Sequence, residues 1–307
     1  MKQSNRELIM RSINIDVHHK HLDLSTPKVM GILNVTPDSF YSGSRKQTES
    51  EIADRANEII AEGGSIIDVG AFSTRPGSAD VSEEEELRRM RYGPEIVRRE
   101  QPDVIVSVDT FRPSVAKMAV EEFGADIIND VSEGHGYYGN EANDTVCSAA
   151  GKTHSETPHD FEVSASPIFR EVAHLHVPYI LMSLQSNFES TVSVFKEKLN
   201  VLNALGVKNV ILDPGYGFGK DVIEGNFRLL ARQRELKDIF NLPLLVGISR
   251  KRMIWQLLDT NAEGALNGTT ALNILAIERG GDILRVHDVK AAVEAVRIYS
   301  MLDHLEK

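Results

Sequence analysis

Val207-Lys-Asn-Val-Ile-Leu212 runs directly into Asp213-Pro-Gly-Tyr-Gly-Phe-Gly-Lys220. The first half is a short apolar run that reads as a buried strand. The second puts a carboxylate at the exit of that strand and glycines at alternate positions, Gly215, Gly217 and Gly219. Glycine lets a backbone pass close to a ligand or adopt positive φ. The stretch therefore reads either as a phosphate loop or as a glycine-rich turn. A Walker loop does not fit: the glycine it needs five positions before Gly219 is Pro214, and Asp221 stands where Ser or Thr should hold the metal. A dinucleotide fingerprint does not fit either, because the glycine spacing differs and the run follows a late strand.

The same unit, a strand and then a polar cluster, recurs on both sides. Lys28-Val-Met-Gly-Ile-Leu33 leads to Asn34, and Pro37 with its polar neighbours stops that strand. Ser65-Ile-Ile-Asp-Val69 leads to Ser73-Thr-Arg-Pro-Gly77, and Val104-Ile-Val-Ser-Val108 leads to Asp109-Thr110. Asp126-Ile-Ile128 leads to Asn129-Asp130, and Val177-Pro-Tyr-Ile-Leu-Met182 to a polar stretch at 183–186. Further on, Pro243-Leu-Leu-Val-Gly247 leads to Ser249-Arg-Lys251, and Asp282-Ile-Leu284 to Arg285-Val-His-Asp288. Helical periodicity fills the gaps over residues 49–62, 81–99, 113–123, 188–205, 225–239, 253–258, 267–279 and 289–305, with a helix remnant at 168–173. Glu83 to Glu86 suit the positive end of a helix dipole, and Pro113 suits a first turn.

Eight strands alternating with helices predict an α/β fold, a (β/α)8 TIM barrel. An open doubly wound sheet would leave the count of eight unexplained. Position argues more strongly still. Each polar cluster follows the C-terminal end of a strand, and in a barrel those ends converge on the face where the active site lies. Residues 9–23 alternate loosely and predict a small N-terminal hairpin, while 131–167 lack periodicity and read as a long loop. The predicted organisation is a hairpin extension over 1–27 and one barrel domain over 28–307, with an insertion after strand four at about 133–167.

Composition narrows the function. A net charge of −11 over 307 residues argues against nucleic acid as the main partner, yet leaves room for a small anion in a locally basic pocket. A single cysteine, Cys147, precludes an internal disulfide framework and fits a reducing cytoplasm. The first residues carry mixed charge without a signal-peptide core, and no apolar run approaches the roughly 18 residues of a membrane span. In the insertion, Cys147, His154 and His159 match no standard zinc spacing, and His174 and His176 read as loop residues.

Sorted by charge, the clustered residues suggest a polar ring and an anion. Asp109, Asn129 and Asp213 offer acceptors; Arg75, Lys251, Arg285 and His287 offer positive charge or donors. A buried Asp accepts two parallel N–H bonds from an amidine-like ring edge, and Arg with His holds phosphate. Asn34 offers a hard oxygen to Mg²⁺. Any one of these residues alone reads equally well as half of a rim ion pair; their shared end of the barrel favours a site.

Gly31-Ile-Leu-Asn-Val-Thr-Pro-Asp-Ser-Phe40, Ser73-Thr-Arg-Pro-Gly77, Val108-Asp-Thr110, Ile128-Asn-Asp-Val131, Asp213-Pro-Gly-Tyr-Gly-Phe-Gly-Lys220, Ser249-Arg-Lys251 and Arg285-Val-His-Asp288 together resemble the dihydropteroate synthase family, in that family's order and from Val29 on. The resemblance implies a transferase of folate biosynthesis that joins 6-hydroxymethyl-7,8-dihydropterin diphosphate to 4-aminobenzoate and releases diphosphate. It implies Mg²⁺ as cofactor and a homodimer. It also implies roles. Asp213, Asn129 and Asp109 bind the pterin, Met182 packs on it, Lys251 reaches its carbonyl side, and Arg285 stacks on its face. Asn34, Thr74, Arg75 and His287 gather around the diphosphate, with Asn34 on the metal, and Ser249 faces the aminobenzoate carboxylate. Asp109, Lys251 and Arg285 are the expected catalytic residues.

The chain departs from that family in three places. Met182-Ser-Leu-Gln-Ser186 replaces Met-His-Met and its Gln-Gly and Pro sequel, Ser132-Glu-Gly-His replaces Ser-Gly-Gly, and Tyr41-Ser-Gly-Ser-Arg45 replaces Ser-Asp-Gly-Gly. The Met182–Ser186 change and the insertion leave open a diverged pterin-binding paralogue with little turnover; a pterin-dependent methyltransferase of similar barrel fold is the other alternative, although Ser249-Arg-Lys251, Arg75 and His287 argue against it because that chemistry needs no diphosphate pocket.

Overall fold

A computed structural model of the chain describes residues 14–17, 20–35, 45–71, 81–135 and 165–305. Eight parallel strands form the barrel: β3 (Lys28–Asn34), β4 (Ile66–Gly70), β5 (Ile105–Asp109), β6 (Ile127–Asp130), β7 (Tyr179–Met182), β8 (Val210–Asp213), β9 (Leu245–Val246) and β10 (Ile283–Val286). They pair in the order β8-β7-β6-β5-β4-β3-β10-β9. The Leu212 N–H donates to the Pro243 carbonyl at 2.9 Å, and Leu212 bridges Leu244, which closes the ring. Strands β4, β6, β7 and β8 are buried at every position. One of their faces fills the barrel and the other meets a helix, so they read as unbroken apolar runs rather than alternations.

The helices are α1 (Arg45–Ala61), α2 (Glu83–Glu100), α3 (Pro113–Glu121), α4 (Pro167–Leu175), α5 (Phe188–Ala204), α6 (Glu224–Ala231), α7 (Gln233–Phe240), α8 (Arg252–Leu257), α9 (Leu266–Glu278) and α10 (Val289–Leu305). Local chemistry starts them. Ser82 caps α2 by accepting from the Glu85 N–H at 3.2 Å, Asn187 caps α5 by accepting from the Ser190 N–H at 3.0 Å, and Pro113 occupies the first turn of α3. Among the described residues no helix is long and apolar enough to cross a membrane.

The barrel has a floor with one residue from each strand: Met30, Ile66, Ile105, Ile127, Ile180, Ile211, Leu245 and Ile283. The N-terminal hairpin, β1 (Asn14–Val17) paired antiparallel with β2 (Lys20–Asp23), lies under that floor. Its alternation turns Ile15, Val17 and Leu22 inward to join the floor together with Leu24. The hairpin therefore plugs the N-terminal end of the barrel, the end opposite the polar clusters.

Three elements differ from the sequence reading. The seventh barrel strand, expected over 243–247, is only the two residues of β9. Pro243 has no N–H for the ladder, and the Leu244 carbonyl is shared by the N–H groups of Asp282 and Ile283. The single helix expected over 225–239 breaks into α6 and α7 at Arg232, with φ −101 and ψ 5. Besides its local i,i+3 pair with Glu235, the Arg232 guanidinium lies 3.6 Å from the Phe188 ring centroid and pairs with Glu189, two contacts no local pattern announces. The remnant at 168–173 is the complete helix α4, capped by Ser166 and anchored by Phe169, whose ring meets Tyr179 edge-on at 5.8 Å.

Candidate active site

Alternation along the strands builds the site upward from the floor. Two residues above the floor on β4, β5, β6, β7, β8 and β10 stand Asp68, Ser107, Asn129, Met182, Asp213 and Arg285. Four residues above it, on β3 and β5, stand Asn34 and Asp109; the same step beyond β9 and β10 gives Ser249 and His287. The change from an all-apolar layer to a polar one within a single two-residue step marks where packing ends and recognition begins.

One guanidinium organises the deep layer. Arg285 Nε donates to Asp68 Oδ2 at 2.6 Å, and its NH2 donates to Asp109 Oδ2 at 2.7 Å. The Asp68 carboxylate also accepts from Ser107 Oγ at 2.6 Å and from Asn129 Nδ2 at 3.2 Å. Asn129 is thus turned so that its amide nitrogen is used and its Oδ1 is buried with no partner among the described residues. An orphaned buried acceptor is costly and asks for a donor from a ligand. Burial pushes the Asp109 carboxyl up to about 7; Arg285 works against that shift and Asp68 adds to it. Burial alone would weaken the hold of Arg285 on its proton, but Asp68 and Asp109 outweigh it and the guanidinium is held more firmly charged.

Asp213 closes the other side. It is 6 % exposed, and its Oδ1 accepts from the Gly215 N–H at 2.8 Å; its Oδ2 accepts no hydrogen bond among the described residues. Burial raises its pKa against the pull of Lys251 and that N–H. Lys251 donates to the Tyr216 carbonyl, and its Nζ lies 4.4 Å from the Phe218 ring centroid. Burial pulls Lys251 down to about 7, while Asp213 works against the shift. Phe218 and Leu184 pack on a small apolar cluster of Phe111, Val131 and Met182 at the barrel mouth. An acceptor edge beneath and an apolar wall beside it suit a flat, polar-edged ring.

The glycines after Asp213 serve packing. A Cβ on Gly215 would lie 1.8 Å from the Ser183 carbonyl oxygen, and one on Gly219 would lie 1.9 Å from that of Leu184. Both glycines have positive φ, +71 and +62. The loop after β8 therefore lies directly on the backbone of the loop after β7, and only glycine permits that approach. Gly217 leaves room for the Lys251 stem, whose Cδ would be 2.8 Å from its Cβ.

The rim holds the remaining expected residues. The hydroxyl of Ser249 accepts from the His287 N–H at 3.2 Å, and Arg55 of α1 fixes the same turn by donating to the His287 carbonyl at 2.6 Å. Asn34 is exposed at the end of β3. Thr74 and Arg75 lie outside the described residues, as do 36–44, Cys147, His154 and His159. Arg89 of α2 donates to the Ala71 carbonyl at 3.0 Å, at the last described residue before Thr74 and Arg75. No group of three His, Cys, Asp or Glu among the described residues could hold a metal by itself. One open amide oxygen at Asn34 fits Mg²⁺ that brings most of its ligands with it, as substrate oxygens and water.

Sequence reasoning missed Asp68, Glu133 and the aromatic wall. Asp68 had a signal: it is the one charge in the otherwise apolar Ile66-Ile-Asp-Val69. Glu133 and Phe218 had none, because their roles come from contacts between loops that follow different strands.

A closed barrel with an acceptor pair in its depth, cations above and an apolar wall defines a pterin-binding barrel enzyme. Residues 30–287 match the pterin binding enzyme family. Within it, the chain belongs to the dihydropteroate synthase family. It is 41% identical over 285 residues to dihydropteroate synthase of Escherichia coli (strain K12), covering 90% of this chain and 92% of that protein. The dihydropteroate synthase of Yersinia pestis, solved with a sulfonamide drug, superposes with a TM-score of 0.77 at 33% identity, covering 95% of this chain and 100% of that one. That of Xanthomonas albilineans, solved with 4-aminobenzoic acid, gives 0.77 at 32%, covering 95% and 99%.

Proposed function

We propose that this site joins 6-hydroxymethyl-7,8-dihydropterin diphosphate to 4-aminobenzoate, giving 7,8-dihydropteroate and diphosphate. The activity is that of dihydropteroate synthase, a transferase of folate biosynthesis. The observation that carries the assignment of the site is the acceptor pair, Asp213 Oδ2 and Asn129 Oδ1, that takes no hydrogen bond among the described residues. The amino group and ring N–H of a pterin supply the matching donors. Asp213 and Asn129 hold that edge, Met182 and the Phe218 side pack on the ring, and Lys251 points its ammonium at the carbonyl edge. Arg285 is kept charged and fixed by Asp68 and Asp109, and covers the ring face.

Thr74, Arg75 and His287 take the diphosphate, and Ser249 with the start of α8 takes the carboxylate of 4-aminobenzoate. Asn34 would hold Mg²⁺, which would supply neutralising charge for the departing diphosphate. The C–O bond to diphosphate breaks with its electron pair leaving on oxygen. The methylene cation is stabilised by the pterin and by Asp109 beside it. The arylamine lone pair then forms the C–N bond, and the ammonium proton passes to solvent. No side chain acts as a nucleophile: the protein orients two reactants and stabilises charge.

The same reading makes the molecule a cytoplasmic homodimer. The exposed apolar residues of α9 and α10, Leu275, Ile298, Met301, Leu302 and Leu305, support a subunit interface there. The burial of Ile15, Val17, Leu22 and Leu24 under the floor supports a division into a hairpin extension over 1–27 and a single barrel domain over 28–307.

Turnover tests the function: diphosphate release should require the pterin diphosphate, 4-aminobenzoate and Mg²⁺ together. The pH profile tests the roles. If the active form has Lys251 protonated and Asp109 ionised, both near pH 7, kcat/KM for the pterin substrate falls on either side of about 7. Above that pH Lys251 loses its proton; below it Asp109 gains one. Lys251→Arg should lower the maximum and remove the alkaline limb, because Arg does not deprotonate in that range. An alkaline limb that survives the substitution removes Lys251 from this role.

A further inference from the structure

Glu133 follows β6 and has φ 59, a conformation that non-glycine residues adopt at a cost. It is 2 % exposed, although a carboxylate is rarely buried without partners. Its partners come mainly from the loop after β7. Oε1 accepts from the Leu184 N–H at 2.9 Å and from Ser183 Oγ at 3.3 Å, and Oε2 accepts from Gln185 Nε2 at 2.9 Å. Its neighbour His135 adds an Nε2 at 3.5 Å from Oε2. One carboxylate thus gathers three donors from three consecutive residues of a loop that belongs to another strand.

That loop is what the Asp213 loop lies on. The Ser183 and Leu184 carbonyls occupy the space beside Gly215 and Gly219, and the Leu184 side chain joins the apolar wall with Phe218. Glu133 touches none of the atoms assigned to substrate. It holds the surface against which Asp213 and Phe218 are set. We propose that Glu133 is a positioning residue for the pterin pocket, fixing the loop after β7 and through it the height of the Asp213 loop. This rests on the pterin reading of the site. The geometry also explains why a strained glutamate persists where glycine would be relaxed: glycine has no acceptor for the half-buried Leu184 N–H and Gln185 amide, and would leave Ser183 only its contact with Thr191.

Glu133→Gln keeps the shape but sets one amide N–H₂ against these donors. Because the effect is on positioning a bound ring, ground state and transition state lose alike. KM for the pterin diphosphate should rise about tenfold, the size of one charge-assisted hydrogen bond lost. The kcat and the KM for 4-aminobenzoate should hold. Adding Gln185→Glu restores the polarity: the amide introduced at 133 donates to the new carboxylate and its carbonyl accepts from the Leu184 N–H, so most of the pterin KM should return. Gln185→Ala, which leaves the positive-φ position untouched, should raise the pterin KM about threefold and carries the same test if Glu133→Gln does not fold. Wild-type calorimetry with the pterin diphosphate comes first: no binding there removes the pterin reading and this proposal together. With wild-type binding established, an unchanged pterin KM in the single variants, a parallel shift of kcat and both KM values, or a double variant no better than Glu133→Gln overturns the role of Glu133 alone.

Discussion

Replacing Asp213 with alanine is expected to abolish measurable binding of the pterin diphosphate. A pterin edge carries three N–H bonds, two on the amino group and one on the ring; with one taken by Asn129, Asp213 accepts two, on Oδ2 and on the second lone pair of Oδ1. Hydrogen bonds to an ionised acceptor contribute about 1.5–3 kcal/mol each, so losing two lowers affinity by about 10²–10⁴. Asp213→Asn should lose nearly as much, because one of the two acceptors becomes a donor facing a donor. Stability should move the other way from affinity. The carboxyl is raised by burial, so above its folded pKa it costs stability in the free protein, and alanine removes that cost. Against this, the Gly215 N–H loses its acceptor, which costs about 1 kcal/mol or about 2–4 °C in Tm for a chain of this size. Calorimetric titration and a melting curve on the same preparation separate the two effects. Unchanged pterin affinity with an intact fold would remove Asp213 from the site.

Arg285→Met should be the most destabilising single change in the barrel interior. It leaves Asp68 and Asp109 facing each other without their shared cation. Removing one partner of a buried ion pair costs about 3–5 kcal/mol, against near neutrality when both are replaced. The loss carries a pH signature. The folded pKa of Asp109 is already raised to about 7 from 3.8, and without Arg285 it rises further. A raised carboxyl costs stability above its folded pKa, and that cost fades as pH falls towards the unfolded value. Chemical denaturation should therefore show the largest difference from wild type above pH 7 and a smaller one near pH 4. Asp68→Asn in the same chain should recover part of the loss. A difference that does not change with pH, or one below about 1 kcal/mol, would mean that the guanidinium does not hold these two acids.

Much of the fold and of the site is legible in the sequence. Strand positions and the common end of the polar clusters were readable because a buried parallel strand is an apolar run and each run stops at a polar residue. Asp109, Asn129, Asp213 and Arg285 lie where period-two alternation from the floor places them. The two-residue β9 and the break at Arg232 were not legible, since both depend on partners distant in sequence. The meaning of the glycines was half legible. They suggested a close approach, and the approaching group is the loop after β7 rather than a phosphate. That loop is also one of the three places where the sequence departs from the pattern expected of its family, with Ser183 where a histidine is expected. A buried Ser183 beside Glu133 gives the altered segment a hydrogen-bonded seat of its own, so the departure reads as a rebuilt wall rather than a lost one.

The most direct measurement is product formation by the purified protein supplied with the pterin diphosphate, 4-aminobenzoate and Mg²⁺. Mass spectrometry should detect 7,8-dihydropteroate in amounts equal to the diphosphate released, with none from Asp213→Ala. Tight pterin binding without dihydropteroate above background would contradict the account and leave a pterin-binding protein that does not turn over.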